Sequence, residues 1–219
     1  MGVRQGRGSL YLYEANQTIT INTVAEYHGV VGLLEGSANG GATIYKAGLT
    51  GSITSTANNG GVLRCTDVAH GLDEGDYISL NGMGDAAHNG ITRVTKIDDD
   101  TFDCDDIAYS SSSDTGSWQR GASLKIAPGY GGYYTGGFSI TARSSVASKN
   151  FKFEVYKNTT AFDEFAWERL FGNTGWGVGA SGGVGLLMAG DVIWLAVENT
   201  TDTQNCIINH ANLHLVKVG

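Results

Sequence analysis

Apolar residues recur along this chain in short runs that alternate with polar ones at a period of two. Phe151, Phe153 and Val155 are separated by Lys152 and Glu154, which sets one face of a strand on a core and the other in water. The same pattern predicts strands over residues 10–13, 18–21, 30–34, 133–141, 151–156, 184–188, 192–197 and 207–218. Turn residues separate them, as in Ala189-Gly190-Asp191 and Glu198-Asn199-Thr200-Thr201-Asp202. Residues 161–171 fit two readings. Phe162, Phe165, Ala166 and Arg169 have helical spacing, while the aromatics suit a strand equally well. Many short strands without alternating helices predict an all-β sandwich or barrel.

Some runs are apolar on both faces. Val192-Ile193-Trp194-Leu195-Ala196-Val197 is one, and Val30-Val31-Gly32-Leu33-Leu34 and Leu186-Leu187-Met188 share the character. In a two-sheet sandwich one face of each sheet normally meets water, so such strands require a cover. Without helices, the cover expected from sequence is another copy of the chain, which assigns Val192, Trp194 and Leu187 to an oligomer interface. An inserted barrel or a long loop is the alternative cover. His210, Asn212 and His214 fall on one face of the last strand and Ala211, Leu213 and Leu215 on the other. His210 and His214 are therefore placed at the subunit contact or axis, with hydrogen-bonded histidines at a polar edge as the structural alternative.

Composition adds a second unit. Glycine accounts for 33 of 219 residues, about twice its usual share, while proline occurs once, a pairing that implies tight turns and bulges. Residues 55–118 hold twelve of the 22 carboxylates against three bases, Arg64, Arg93 and Lys96, whereas the remainder is nearly balanced. The ends of this acidic stretch are rich in Gly, Ser and Asn, and strands are predicted inside it at 62–66, 77–80, 91–97 and 101–104. Residues 52–120 are read as an acidic β-barrel inserted into a discontinuous host of residues 9–51 and 121–219, behind an arm of residues 1–8. Arg4 and Arg7 in that arm are candidates for docking onto a partner of opposite charge. The three cysteines, Cys65, Cys104 and Cys206, read as small core residues, with a Cys65–Cys104 bridge as the alternative.

Gly132-Tyr133-Tyr134 leading into Phe138-Ser139-Ile140-Thr141, then Phe151–Val155, then Leu186-Leu187-Met188-Ala189-Gly190-Asp191-Val192-Ile193-Trp194-Leu195, resembles the jelly-roll heads of complement and tumour-necrosis-factor type. The Pro128-Gly129-Tyr130-Gly131-Gly132-Tyr133-Tyr134 stretch and the closing 213–218 run belong to the same resemblance. Val68-Ala69-His70-Gly71-Leu72, Glu74-Gly75-Asp76-Tyr77-Ile78, Asn89-Gly90-Ile91-Thr92-Arg93-Val94 and Asp100-Thr101-Phe102 are similar to a small β-barrel repeat found within phage tail and capsid proteins. The resemblance implies a compact homotrimer on a bacteriophage virion: a capsid decoration, cement or head-fibre protein. Its partners would be copies of itself and the major capsid protein or another virion protein. A tail or fibre tip that recognises a host surface glycan is the alternative.

Catalytic and metal motifs are weak by comparison. Gly177, Gly179 and Gly182 have dinucleotide-fingerprint spacing, but a strand-like run follows where a helix is needed. Gly179-Ala180-Ser181-Gly182-Gly183 matches a nucleophile elbow, with Asp191 or Asp202 and His210 or His214 downstream, in a chain whose glycine and serine content produces such matches by chance. Asp163, Glu164 and Glu168 lack the architecture of a glycosidase pair. Asp98, Asp100 and Asp103 are weak cation candidates in a run that reads as a solvated acidic turn. No enzyme activity and no cofactor are expected. A net charge of −8 argues against nucleic acid. No apolar run approaches the ~18 residues of a membrane span, and the first residues lack a signal peptide's apolar centre. The expectation is a soluble protein made in a host cytoplasm and destined for the virion.

Overall fold

The computed structural model describes residues 7–36, 41–110 and 113–218. Among these, nearly all regular structure is β, and one 3-10 turn, Ala86–His88, is the helical content. The first strands are β1 (Arg7–Leu12), β2 (Gln17–Ile19), β3 (His28–Gly29), β4 (Leu34–Glu35) and β5 (Thr43–Lys46). Seven follow: β6 (Leu49–Ile53), β7 (Ser55–Asn59), β8 (Val62–Thr66), β9 (Tyr77–Asn81), β10 (Gly90–Lys96), β11 (Thr101–Ala108) and β12 (Gly116–Arg120). The chain closes with β13 (Ser123–Ile126), β14 (Gly132–Ser144), β15 (Lys149–Lys157), β16 (Thr160–Phe171), β17 (Gly177–Leu187), β18 (Val192–Asn199) and β19 (Cys206–Lys217).

Two antiparallel sheets face each other. Sheet I has the order β17-β14-β19-β1-β4, with β2 prolonging the β1 edge along β19. Sheet II has the order β16-β15-β18-β13-β5, with β3 sharing the β18 edge with β13. The all-β sandwich expected from sequence is thus the fold of the chain. Alternation explains the core: Phe138, Ile140, Leu213 and Leu215 of sheet I meet Phe153, Val155, Ile193 and Leu195 of sheet II, all buried. Leu187 is also part of that core, only 1% exposed.

Between β5 and β13 the chain builds a separate curled sheet of order β6-β12-β9-β10-β11-β8-β7. Its first and last strands pair with each other, Leu49 opposite Arg120 and Ile53 opposite Gly116. The ends of the insertion therefore lie side by side, which lets a host loop carry it. A second hydrophobic cluster around Phe102, Trp118, Ile78 and Leu80 fills it. Cys65 and Cys104 lie in that cluster as free thiols with sulfurs 3.6 Å apart, and Cys206 is a buried free thiol in the main core.

One segment differs from its sequence reading, and two others are settled by the structure. Residues 30–34 are not one strand: the chain crosses from β3 in sheet II to β4 in sheet I, and buried Val30 and Leu33 are apolar because they span the core. Residues 161–171, left open between helix and strand by their spacing, are strand. A bulge opposite Glu154 and Val155 lets β16 carry extra residues, placing Phe162 and Phe165 against each other with ring centroids 5.4 Å apart. Their spacing of three reflects that bulge. Residues 177–183, weighed in sequence as a dinucleotide fingerprint and a nucleophile elbow, are plain strand and pair along β14 throughout.

The glycines of β17 have a packing reason. A Cβ on Gly179 would lie 2.1 Å from the Trp167 ring, and one on Gly185 2.7 Å from Phe162. The aromatic rings of β16 thus close the sandwich edge against bare backbone on β17. Gly179→Val is expected to cost about 2–4 kcal/mol through overpacking, measured by urea denaturation, whereas Val178→Thr on the exposed face is expected to change stability by less than about 0.5 kcal/mol.

Candidate functional site

The outer face of sheet II is made by the even-numbered residues of β18 and β15. Trp194 stands opposite Tyr156 and Ala196 opposite Glu154. Burying a tryptophan removes some 150–250 Å² from water, worth roughly 5 kcal/mol, so this face needs a cover. The chain supplies it. Trp194, 1% exposed, clusters with Tyr156 and Ala196 beneath Tyr27 and Ile91, and Ile91 belongs to the barrel. Its indole N–H donates to the Asn158 carbonyl at 3.0 Å. Glycines permit the close approach: a Cβ on Gly121 would sit 2.8 Å from the Trp194 ring, and one on Gly29 2.7 Å from the Gly121 nitrogen.

This corrects the interface assignment. Trp194 and Leu187 are buried within their own chain, and Val192 is half-buried against the same cluster. The two-sided strand is covered by the barrel and by the segment around Tyr27. His210 and His214 do point outward, from sheet I, and Tyr13 packs edge-on to His210 with centroids 4.8 Å apart. Arg7 belongs to β1, opposite Val216, and Arg4 lies outside the described residues.

Beside the aromatic seal lies a charged cluster. Glu154, read as solvent-facing, is 1% exposed because Tyr27 donates its hydroxyl to Oε2 and Lys152 pairs with the same oxygen at 3.0 Å. Its Oε1 is buried without a hydrogen-bond partner among the described residues. Burial raises the Glu198 and Glu26 carboxyls above their ordinary values. Burial also drives the His28 imidazole down to about 4, and its Nε2 accepts the Asn22 N–H at 3.0 Å.

Where barrel and sandwich meet, a second cluster holds them. The barrel's Asp76, buried, accepts hydrogen bonds from Lys46 of β5 and from Arg120 of β12. Arg120 Nη2 also donates to the Ala47 carbonyl at 3.0 Å, and Lys46 reaches Asp73 at 3.0 Å. Next to these pairs opens a cleft of about 520 Å³, within the range of small-molecule sites. Tyr45, Tyr77, Val192 and Trp194 line it, with Lys125 and Glu74 among its polar groups. Sequence reasoning missed it because its walls come from four separated stretches of chain.

The remaining candidates do not converge. Asp98 Oδ1 caps its own turn, accepting from Asp100 N at 2.9 Å and Thr101 N at 2.7 Å. Asp100 accepts from Ala69 N, and Asp103 is held by Arg64 at 2.7 Å. Ser181 sits mid-strand with its hydroxyl donated to the Glu164 carbonyl at 3.1 Å, and Asp191 Oδ2 caps its turn through Met188 N at 2.8 Å. A different Ser–His–Asp cluster was not legible in sequence. His88 Nδ1 donates to Asp114 at 3.0 Å and its Nε2 lies 3.2 Å from Ser110 Oγ. The Ser110 hydroxyl donates to Asp85, however, and His88 Nε2 accepts the Ser110 backbone N–H at 3.2 Å. The cluster therefore reads as a cross-link between two barrel loops.

No protein-family model matches the chain, and no curated protein matches it. Among solved structures it is similar to the insecticidal delta-endotoxin Cry8Ea1 of Bacillus thuringiensis, with a TM-score of 0.25 and 9% identity over 98% of this chain and 53% of that one. The chain spans about half the length of the toxin, and a likeness at this level carries no argument about function. Among the described residues no helix is long and apolar enough to cross a membrane.

The His28 environment sets a pH dependence. Well above pH 6.5 the ring is neutral in both folded and unfolded chains. As pH falls from there toward about 4 the unfolded chain takes the proton first, so stability is lost on acidification. Glu26 and Glu198 act in the opposite sense, since the folded chain protonates them first. The stability difference between the native chain and His28→Asn, from urea midpoints, is expected to shrink by on the order of 3 kcal/mol across that window.

Proposed function

We propose that the chain is a non-enzymatic structural protein of a bacteriophage virion, a homotrimer on the capsid surface whose copies meet through the outer face of sheet I. The observation that carries the reading is the unequal fate of the two outer faces. That of sheet II is sealed by the barrel, whereas that of sheet I leaves Tyr11, Val178, Val184, Leu186 and Val216 exposed. Between them lie flat positions, Gly137, Ser139 and Asn212, with His214 alongside.

Five strands at the usual spacing and length present roughly 800 Å², about one side of a standard protein interface. The acidic barrel is on the opposite side of the sandwich and would project away from the contact. Threefold symmetry and the virion setting rest on the resemblance of the host to complement and tumour-necrosis-factor jelly rolls and of the insert to a phage β-barrel repeat. The docking partner in this reading is the major capsid protein or another virion protein. A host-binding tip is the second reading, favoured by the junction cleft.

Light scattering over a concentration series tests the assembly. The expected mass is three times the 23.0 kDa of one chain. Leu186→Asp is expected to give monomers of unchanged melting temperature, while Trp194→Asp should unfold the chain without yielding a folded monomer. A native chain that stays monomeric at every concentration overturns the reading. Particles lacking the protein separate the settings: fragile or smooth heads support capsid decoration, and intact particles that fail to adsorb support the host-binding tip.

A further inference from the structure

The junction cleft has a composition that selects a ligand class. We infer that it is a saccharide-binding site, taking a neutral or singly carboxylated sugar between the barrel and sheet II.

Its walls carry rings and aliphatic surface: Tyr45, Tyr77, Ile44 and Val192. One of the rings is fixed before any ligand arrives: the Tyr45 hydroxyl donates to the Leu33 carbonyl at 3.0 Å. A pre-set ring spares a ligand the cost of ordering it. The C–H faces of a pyranose pack on such surfaces, while its hydroxyls need donors and acceptors at the edge.

The charged groups supply those donors and acceptors without a strong net field. Asp76 is neutralised by both Lys46 and Arg120, Lys46 also meets Asp73, and Glu74 is paired with Arg93 at 2.9 Å. A phosphorylated ligand calls for surplus positive charge, and here each of those cations already has a carboxylate. A lipid tail calls for apolar walls throughout, and here carboxylates and ammonium groups lie on them. Lys125, exposed on β13, is the cation that leaves room for one carboxylate on the sugar. The volume of about 520 Å³ suits one or two sugar rings. The inference does not depend on assembly, because every wall comes from one chain.

Saturation-transfer NMR with galactose, N-acetylglucosamine and N-acetylneuraminic acid tests it on the full chain. At least one of the three is expected to receive magnetisation. Ala189→Trp, which fills the cleft from an exposed turn, is expected to abolish that signal, and Lys125→Ala to weaken binding about threefold to tenfold. Ile44→Trp blocks the opposite wall and keeps the test decisive should the first variant prove unstable. Leu186→Asp on sheet I is expected to retain binding, which separates this site from the assembly reading. Transfer to none of the three sugars, or transfer that survives both blocking variants, overturns the inference. Binding of AMP at the cleft in place of the sugars overturns it as well.

Discussion

The structure depends on how the outer face of β18 is covered. A strand with Ile193, Leu195 and Val197 on one side and Trp194 and Ala196 on the other cannot face water on either. The insertion solves this by folding back so that Ile91 joins Tyr27 and Tyr156 over Trp194, and buried Asp76 clasps Lys46 and Arg120 beside it. Paired, these charges hold a fixed geometry. Removal of Asp76 would leave the buried Arg120 charge without its carboxylate, a loss of about 3–5 kcal/mol. The barrel is thus part of the sandwich's stability as well as a passenger in its loop.

That arrangement leaves the molecule two-sided. One side is barrel, acidic and rich in internally capped turns such as the one Asp98 closes. The other is the outer face of sheet I, with exposed valines, leucines and tyrosines around a flat centre. Under the proposed assembly, one face would join copies while the other stays solvated. The junction cleft lies at neither extreme, at the seam between the two units.

Much of the fold was legible in the sequence because period-two alternation survives wherever one face of a strand is buried. Phe151, Phe153 and Val155 are in the core as their spacing predicts, and Ala211, Leu213 and Leu215 point inward opposite His210 and His214. The charge step at residue 55 and the Gly- and Ser-rich flanks fall close to Leu49 and Arg120, the outer limits of the seven-stranded sheet. What failed did so where a side chain answers to something distant. Glycines 179 and 185 are bare because the rings of Trp167 and Phe162 lie against them, a reason that no spacing along the chain announces. Glu154 looks solvated until Tyr27 closes over it. Trp194 needs a cover, as alternation shows, but only the topology says that the cover is Ile91 and not a neighbouring chain. The cleft was invisible for the same reason.

Hydroxyl-radical footprinting across a dilution series, read residue by residue in a mass spectrometer, is the most direct check of which face is sealed and which is shared. If the barrel is the cover, Trp194 and Tyr156 stay unreactive at every concentration, while Tyr11, Tyr133 and Met188 lose reactivity as the protein is concentrated. Trp194 becoming reactive on dilution, with those sheet I residues unchanged, would mean that a neighbouring copy and not the barrel had been shielding it.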